Sequence, residues 1–551
     1  RGLGDVYKRQ GDNNILAAIT DKVISGKSKA LIIKINKGTA ERPPMPEGGT
    51  AAAPAAAPAA TAGPTFANKD EHVAYVVNKV LDGDNAILES LDDKVIRAKS
   101  KSMIMKINNK NNPVIVERSN ALSGIINTPS DKSISHRALI LGSLCIGKTK
   151  IHNLLLSEDI MSTISALEQF GANINVNKES GVTTVHGFGI GGLLQPSKKI
   201  YLGNSGTSVR LLIGLMSSCD VCVEFEGDQS LSRRPMGRVL EPLKEMGLEI
   251  IGNNTNNLPL KLQGTALPIP INHKLLVPSA QIKSALMLSA LNIRGRSTII
   301  ETIKTRDHTE KLFAYFDADI EVKKNEMGDK EIVINGQKRL SRREIDIPGD
   351  PSSAAFFIVA ALISKGSKLR IKNIMMNPTR SVYIDYLISM GAKIDFINKY
   401  SKCGEEVLDI EVTASELKGI TTSLEDAPSL IDEFLILSVA AAYAKGESRF
   451  CGISELKVKE SDRLEAIINM LTSAGVECRT QDDDLIIRGN GEVSGGSSIM
   501  TNYDHRVAMS ALILGLGAKS QIRIDDISPI ATSFPDFMEI YNRIGGNFHS
   551  G

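Results

Sequence analysis

One short pattern recurs six times along this chain: a polar, small-residue start that runs into an apolar helical stretch. The copies begin near Ser133 (SISHRALILGSL), Gly206 (GTSVRLLIGLMS), Gln281 (QIKSALMLSALN), Ser352 (SSAAFFIVAALI), Asp432 (DEFLILSVAAAY) and Asp504 (DHRVAMSALILGL). Successive starts lie about 70 to 80 residues apart. A repeat of that period is one supersecondary unit used over and over. The stretches between copies read as strands, such as TTVHGFGI before the second copy and KLRIKNI after the fourth. Six α/β units of similar length predict two lobes of three units each, with a cleft between them. Helix N-termini carry unpaired N–H groups and partial positive charge, so several of them aimed at one place predict a carboxylate or phosphate site. Arg137, Arg210 and Arg506 stand just inside three of the starts, and Lys283 inside a fourth. The plainer alternative is six ordinary buried helices. It accounts for the apolar halves of the pattern but not for the polar halves.

Glycine punctuates the units. Gly147, Gly171, Gly391 and Gly475 each follow a helical run, as C-terminal capping requires. Gly147 also completes Gly142-Ser-Leu-Cys-Ile-Gly147-Lys148-Thr149, which matches the spacing of a nucleotide phosphate loop. That loop needs a strand before it and a helix after it. Here a helix precedes and a strand follows, so the match is rejected. Cys219 and Cys222 form a C-x-x-C without a second pair or a nearby His, which predicts buried small residues rather than a zinc site.

Bulk composition removes other classes. A net charge of +2 gives no electrostatic footprint for nucleic acid. No apolar run approaches the roughly 18 residues that span a bilayer. Six Cys in 551 residues are not a disulfide scaffold and fit a reducing cytoplasm.

The chain divides near residue 120. Residues 1–10, RGLGDVYKRQ, show no signal-peptide pattern and read either as a fragment end or as an artefact. Two similar segments follow, GDNNILAAITDKVISGKSKALIIKINK from Gly11 and GDNAILESLDDKVIRAKSKSMIMKINN from Gly83, at a constant offset of 72 residues. The predicted organisation is a first repeat at 1–49, a Pro/Ala linker at 50–65 and a second repeat at 66–117. Lobe 1 is then formed by 118–131 plus 346–551, and lobe 2 by 132–345. No catalytic constellation falls in the N-terminal repeats. Their Lys27, Lys29, Lys99 and Lys101 are open to two readings, a solvated face or contact with an unknown partner.

The repeats carry further motifs. Thr128 to Arg137 packs a Lys, Ser residues and an Arg around a helix start. Leu202-Gly203-Asn204-Ser205-Gly206-Thr207 is a glycine turn where backbone can approach a ligand closely. LSRRPMGR clusters three Arg, TRDHTEKL and LKVKESDRL mix acids with bases, and LIDEF and Asp504-His505-Arg506 complete the series.

In this order the motifs resemble the EPSP synthase family, class II bacterial branch, over about residues 120–545. The resemblance implies an α/β fold, a two-lobed inverse α/β barrel with six βαβαββ units in two groups of three. It implies transfer of the enolpyruvyl group of phosphoenolpyruvate to the 5-hydroxyl of shikimate 3-phosphate, in a cytoplasmic monomer without metal or organic cofactor. Carried over by motif, Lys132, Arg234 and Gln281 face the phosphate side of phosphoenolpyruvate, Asn204 and Gly206 shape that pocket, and Arg463 and Arg506 hold its carboxylate. Ser133, Arg137, Ser279, Ala280, Gln281 and Arg306 correspond to ligands of shikimate 3-phosphate, with Asp432 and Lys459 at its ring hydroxyls. Asp432 and Glu460, with Lys132 assisting, are the implied proton-transfer groups. His136, His308 and His505 are read as hydrogen-bonding residues rather than bases. The resemblance also implies competition between glyphosate and phosphoenolpyruvate, with tolerant relatives carrying Ala at the turn where this chain has Gly206.

Two features depart from the family pattern. Class I members carry a Lys before their C-terminal Thr-Phe-Pro-Asp, where this chain has Ala531-Thr532-Ser533-Phe534-Pro535-Asp536. The N-terminal repeats have no counterpart in the family. Two other readings compete with this one. The related UDP-N-acetylglucosamine enolpyruvyl transferases carry a Cys in the loop before their Arg-Pro, and Glu226 to Arg238 contains none. A binding protein with a dead enzyme lobe would not need intact Lys132, Asp432, Glu460 and Arg463.

Overall fold

The computed structural model describes residues 113–228 and 230–550, with the helical positions His72, Tyr75, Val76 and Lys79. The expected linker and nearly all of the two N-terminal repeats lie outside the described residues.

The six recurring stretches are six helices: α1 Lys132–Leu144, α2 Gly206–Ser217, α3 Ala280–Ala290, α4 Pro351–Ile363, α5 Phe434–Tyr443 and α6 His505–Gly517. α4 shows why such a sequence folds this way. Asp350 caps its first turn, Pro351 supplies a preset φ at the first helical position, and no Gly interrupts the run that follows. A helix that is apolar all round must lie inside. Accordingly every residue of α5, and all but Ile363 of α4, is buried. Each fully buried Leu, Ile, Val or Phe contributes about 1.5–3 kcal/mol.

A small sheet follows each of these helices, five of four strands and one of three among the described residues. The sheets after α1, α2 and α3 surround one hydrophobic core, and those after α4, α5 and α6 surround a second. Met375 and Cys403 come from the lobe 1 part of the chain but are buried in the core of lobe 2. Among the described residues, no helix is long and apolar enough to cross a membrane.

The chain passes between the lobes twice, and the passages exchange strands. Ser123–Asn127 leads into α1 of lobe 2 but pairs with Lys368–Met375 of lobe 1. Glu344–Asp346 leads into α4 of lobe 1 but pairs with Gly147–His152 of lobe 2. Between them Gly349 bridges Ser130 on one side and Ile374 on the other. A Cβ on Gly349 would stand 2.1 Å from both Asn373 O and Thr128 Oγ1, so only glycine lets the backbones pass this closely.

One strand of the lobe 1 core lies before residue 118. Val114–Val116 is an inner strand, antiparallel to Ile522–Ile524 on one side and to Phe548–Ser550 on the other. Its partners come from the other end of the chain, so its sequence neighbourhood gave no sign of them.

Candidate active site

The starts of the six helices gather where the lobes meet. In lobe 2, Gln281 at the start of α3 donates to Thr207 Oγ1 of α2 (3.0 Å) and accepts from Arg210 Nη1 (3.0 Å). Arg137 of α1 reaches Ser284 Oγ of α3 (2.8 Å) and Thr309 Oγ1 (2.7 Å). In lobe 1, Ser352 of α4 donates to Glu433 at the start of α5, and Arg506 of α6 donates to the Asp432 carbonyl (2.9 Å). Across the cleft, Arg306 pairs with Asp432, and Ser230 Oγ donates to the Glu460 carbonyl (3.3 Å).

The polar residues that open the helices are partly caps. Asp131, Asp350 and Asp504 accept first-turn N–H groups of α1, α4 and α6, while Ser205 and Ser279 cap α2 and α3. An internal carboxylate at three starts takes up donors that the sequence reading had assigned to ligand. Anion attraction in the cleft therefore rests more on side chains than on bare helix ends.

The glycine turn is built as expected. Gly203 has φ +56°, a conformation that favours glycine, and Ser205 caps α2. Asn204 is held from both sides. Its Nδ2 donates to Asp228 Oδ2 (2.9 Å), and its carbonyl accepts from Arg234 Nη1 (3.3 Å). Arg234 Nη2 bonds the Asn204 side-chain oxygen and Ser230 Oγ. Gly206, the first residue of α2, lies beside the Arg210 and Arg234 guanidinium ends. Burial, with Arg234 and Arg238 nearby, lowers the Arg210 pKa to about 10. Burial likewise brings Arg137 to about 10.

Lys132, at the start of α1, pairs with Asp159 (2.5 Å) at the head of helix Glu158–Gln169. The sequence reading had missed Asp159. Ser133 offers its carbonyl to Arg137 Nη1 (3.0 Å), and Ala280 opens α3 behind its Ser279 cap.

Two carboxylates occupy the lobe 1 side. Asp432 meets Arg306 directly, Arg463 Nη1 at 3.2 Å and Arg506 Nε at 3.9 Å. Burial alone would raise its pKa, but Arg506, Arg306, Arg463 and Lys459 hold it well below the carboxylate range. Glu460 meets Arg463 Nη2 (2.8 Å) and His505 Nδ1 (3.0 Å). Burial is again outweighed, here by His505 and Arg463, and the Glu460 pKa is also well below normal. Arg463 is itself anchored by Asp504, with Nε 2.8 Å from Oδ2. Lys459 stands half-buried beside Asp432, and its pKa is lowered by burial. Glu460, Asp504 and His505 could each offer one ligand atom to a metal, but the Arg463 guanidinium already bonds both acids.

Three expectations are refined. Lys283 does not face the cleft. It is fully buried in a cluster with Glu301 (2.9 Å) and Glu310 (2.8 Å), which Lys330 completes. His136 and His308 are buried hydrogen-bonding residues, while His505 touches a site carboxylate. Thr532 ends a short 3-10 turn and donates to Pro529 O (2.7 Å).

The fold and the charged cleft define an enolpyruvyl transferase architecture. It superposes on the enolpyruvyl transferase NikO from Streptomyces tendae with TM-score 0.62 at 16% identity, covering 80% of this chain and 99% of that one. More specifically, the chain belongs to the EPSP synthase (3-phosphoshikimate 1-carboxyvinyltransferase) family, whose profile matches residues 116–541. It is 46% identical over 435 residues to the 3-phosphoshikimate 1-carboxyvinyltransferase of Pseudomonas sp. strain PG2982, covering 79% of this chain and 96% of that protein. The corresponding protein of Chelativorans sp. strain BNC1 is 45% identical over 436 residues, 79% of this chain and 97% of the relative. EPSP synthase from Acinetobacter baumannii superposes with TM-score 0.71 at 36% identity, covering 80% of this chain and all of that one.

Proposed function

We propose that this chain transfers the enolpyruvyl group of phosphoenolpyruvate to the 5-hydroxyl of shikimate 3-phosphate, releasing phosphate. The observation that carries this reading is the cleft lining: Lys132, Arg137, Arg234 and Arg306 from lobe 2 stand against Lys459, Arg463 and Arg506 from lobe 1, around Asp432 and Glu460. Two multiply anionic substrates need such a surface, and guanidinium forks suit their carboxylate and phosphate groups.

In the addition step the 5-oxygen bonds to C2 of phosphoenolpyruvate. The hydroxyl proton goes to a base, and an acid protonates the methylene carbon C3. In the elimination step a methyl proton leaves, the double bond re-forms and phosphate departs. Asp432 is assigned the hydroxyl proton, the Lys132 ammonium the proton delivered to C3, and Glu460, held ionised, the methyl proton that leaves as phosphate departs. Three arginines keep Asp432 ionised but make it a weak base. A bound shikimate phosphate that draws Arg306 away would raise its basicity when the hydroxyl arrives.

The test is initial-rate phosphate release from both substrates together. Wild-type enzyme should require both, and Asp432→Asn should lose roughly 10²–10⁴-fold in kcat. No phosphate release by the folded wild-type chain would refute the reading.

A further inference from the structure

Arg380 lies outside the cleft, after the strand Lys368–Met375, and is 2% exposed. Its Nη1 stands 3.0 Å from Asp131 Oδ2 and 3.2 Å from His308 Nε2. Its Nη2 stands 2.9 Å from Asp350 Oδ1 and 2.8 Å from Ser352 Oγ. Asp131 and Asp350 are the caps of α1 and α4, the first helices after the two passages between lobes. One guanidinium therefore holds both passages.

The network extends in two directions. Ser352 Oγ also donates to Glu433, the neighbour of Asp432. His308 begins the helix that follows Arg306. Its Nε2 faces Arg380 Nη1, and its Nδ1 lies 2.9 Å from Glu405 Oε1. Glu405 starts the strand Glu405–Thr413, just past Cys403, which is packed in the lobe 2 core. Arg380 is thus one bond from the start of α1, which carries Lys132 and Ser133. It is one residue pair from Arg306, and one hydroxyl and one residue from Asp432. Burial would lower its pKa, but Asp131, Asp350, Glu433 and Asp432 lift it above the ordinary arginine value, so it stays charged.

We infer that Arg380 is a positioning residue for enolpyruvyl transfer: it fixes Lys132, Arg306 and Asp432 relative to one another by clamping both inter-lobe passages. The inference rests on the proposed reaction. A planar fork is needed because the partners lie on two sides, and a lysine could satisfy only part of the set. Misplacing reacting groups by about 1 Å costs on the order of 100-fold in rate. A clamp that served stability alone would lower the melting temperature and leave turnover per folded molecule unchanged.

The test uses the full chain with Arg380→Lys, Arg380→Gln and Ser352→Ala, each checked for folding by circular dichroism. Hydrogen exchange without substrates is measured at residues 131–137 and 350–354, and steady-state kinetics on the folded fraction. Arg380→Lys should speed exchange at both segments and lower kcat roughly 10-fold, with each KM changed less than about 3-fold. Arg380→Gln should lower kcat roughly 100-fold, and Ser352→Ala about 5-fold. If Arg380→Gln does not fold, Arg380→Lys and Ser352→Ala decide the question. Unchanged exchange in Arg380→Lys overturns the inference, and so does faster exchange with wild-type kcat. Failure of the wild-type chain to release phosphate overturns the proposed reaction instead, and the exchange data still report whether the clamp exists.

Discussion

Gly206→Ala tests the proposed phosphoenolpyruvate pocket at a single methyl group. Gly206 is not among the residues with positive φ, so alanine meets no backbone strain there, and only space decides. The new Cβ would lie 2.8 Å from Arg210 Nη1 and 3.0 Å from Arg234 Nη1, where ordinary contact begins at 3.4 Å. The two guanidinium ends must therefore retreat by 0.6 Å (3.4 − 2.8) and 0.4 Å (3.4 − 3.0). Arg210 Nη1 now holds Gln281 Oε1 at 3.0 Å. A retreat along that line takes the bond past the distance at which it counts as one. Losing a hydrogen bond to a charged group costs about 1.5–3 kcal/mol, roughly 10- to 150-fold in binding. Phosphoenolpyruvate should keep part of its affinity through Arg463 and Arg506, so its KM should rise roughly 10-fold. Glyphosate, longer and expected against the same wall, should lose roughly 100-fold. Phosphate release at varied phosphoenolpyruvate and fixed glyphosate gives both constants. Equal factors for KM and Ki, or no change in either, would refute the steric argument.

Other perturbations follow from the packing. A chain beginning at Asn112 should turn over like the full chain. One beginning at Arg118 loses the inner strand Val114–Val116 and should melt at a lower temperature; equal thermal denaturation of the two would contradict the pairing. Lys283→Met strands Glu301 and Glu310 with one cation between them and should cost about 3–5 kcal/mol in urea unfolding. Glu405 is buried, yet hydrogen bonds and charge from His308 and Lys311 lower its pKa from 4.5 to about 2. A depressed carboxyl stabilises the fold fully above its unfolded value and loses that contribution as pH falls through about 2. This amounts to on the order of 3 kcal/mol lost between about pH 4.5 and 2. Glu405→Gln should flatten that part of the stability–pH curve, and an unchanged slope would show that the acid limb comes from other groups.

The cleft was legible where chemistry and sequence order coincide. The six helix starts, the Gly203 turn, Arg306, Asp432 and the Lys459–Arg463 run announced themselves because polar and charged residues there interrupt otherwise apolar units. What escaped was whatever depends on a distant partner. Asp159 reads as an ordinary acid in the first turn of a helix until Lys132 meets it. Arg380 reads as a turn residue in Asn377-Pro378-Thr379-Arg380, since Asp131 stands 249 positions earlier in the chain. Lys283 stands four residues after its cap Ser279, where Arg210 stands five after Ser205, and it points into a buried acid pair. A one-residue offset turns a side chain by about 100° round the helix, so its distant partner, not the repeat, shows where Lys283 ends. The strand Val114–Val116 was hidden for the same reason, its partners lying at the C-terminus.

That strand also has a consequence for the order in which the protein can be made. Val116 leaves the ribosome well before its partner Ile522, the 406th residue after it (522 − 116). At about 5–20 residues per second the wait is roughly 20–80 s. Ser123–Asn127 waits less, until Lys368–Lys372 arrives. Lobe 2 is continuous in sequence apart from its few inserted residues, so most of it can fold while the chain is still growing. Lobe 1 cannot close until Ile522–Ile524 and Phe548–Ser550 have emerged. During that interval the apolar VIV segment is an unpaired edge, open to aggregation or to whatever shields nascent chains.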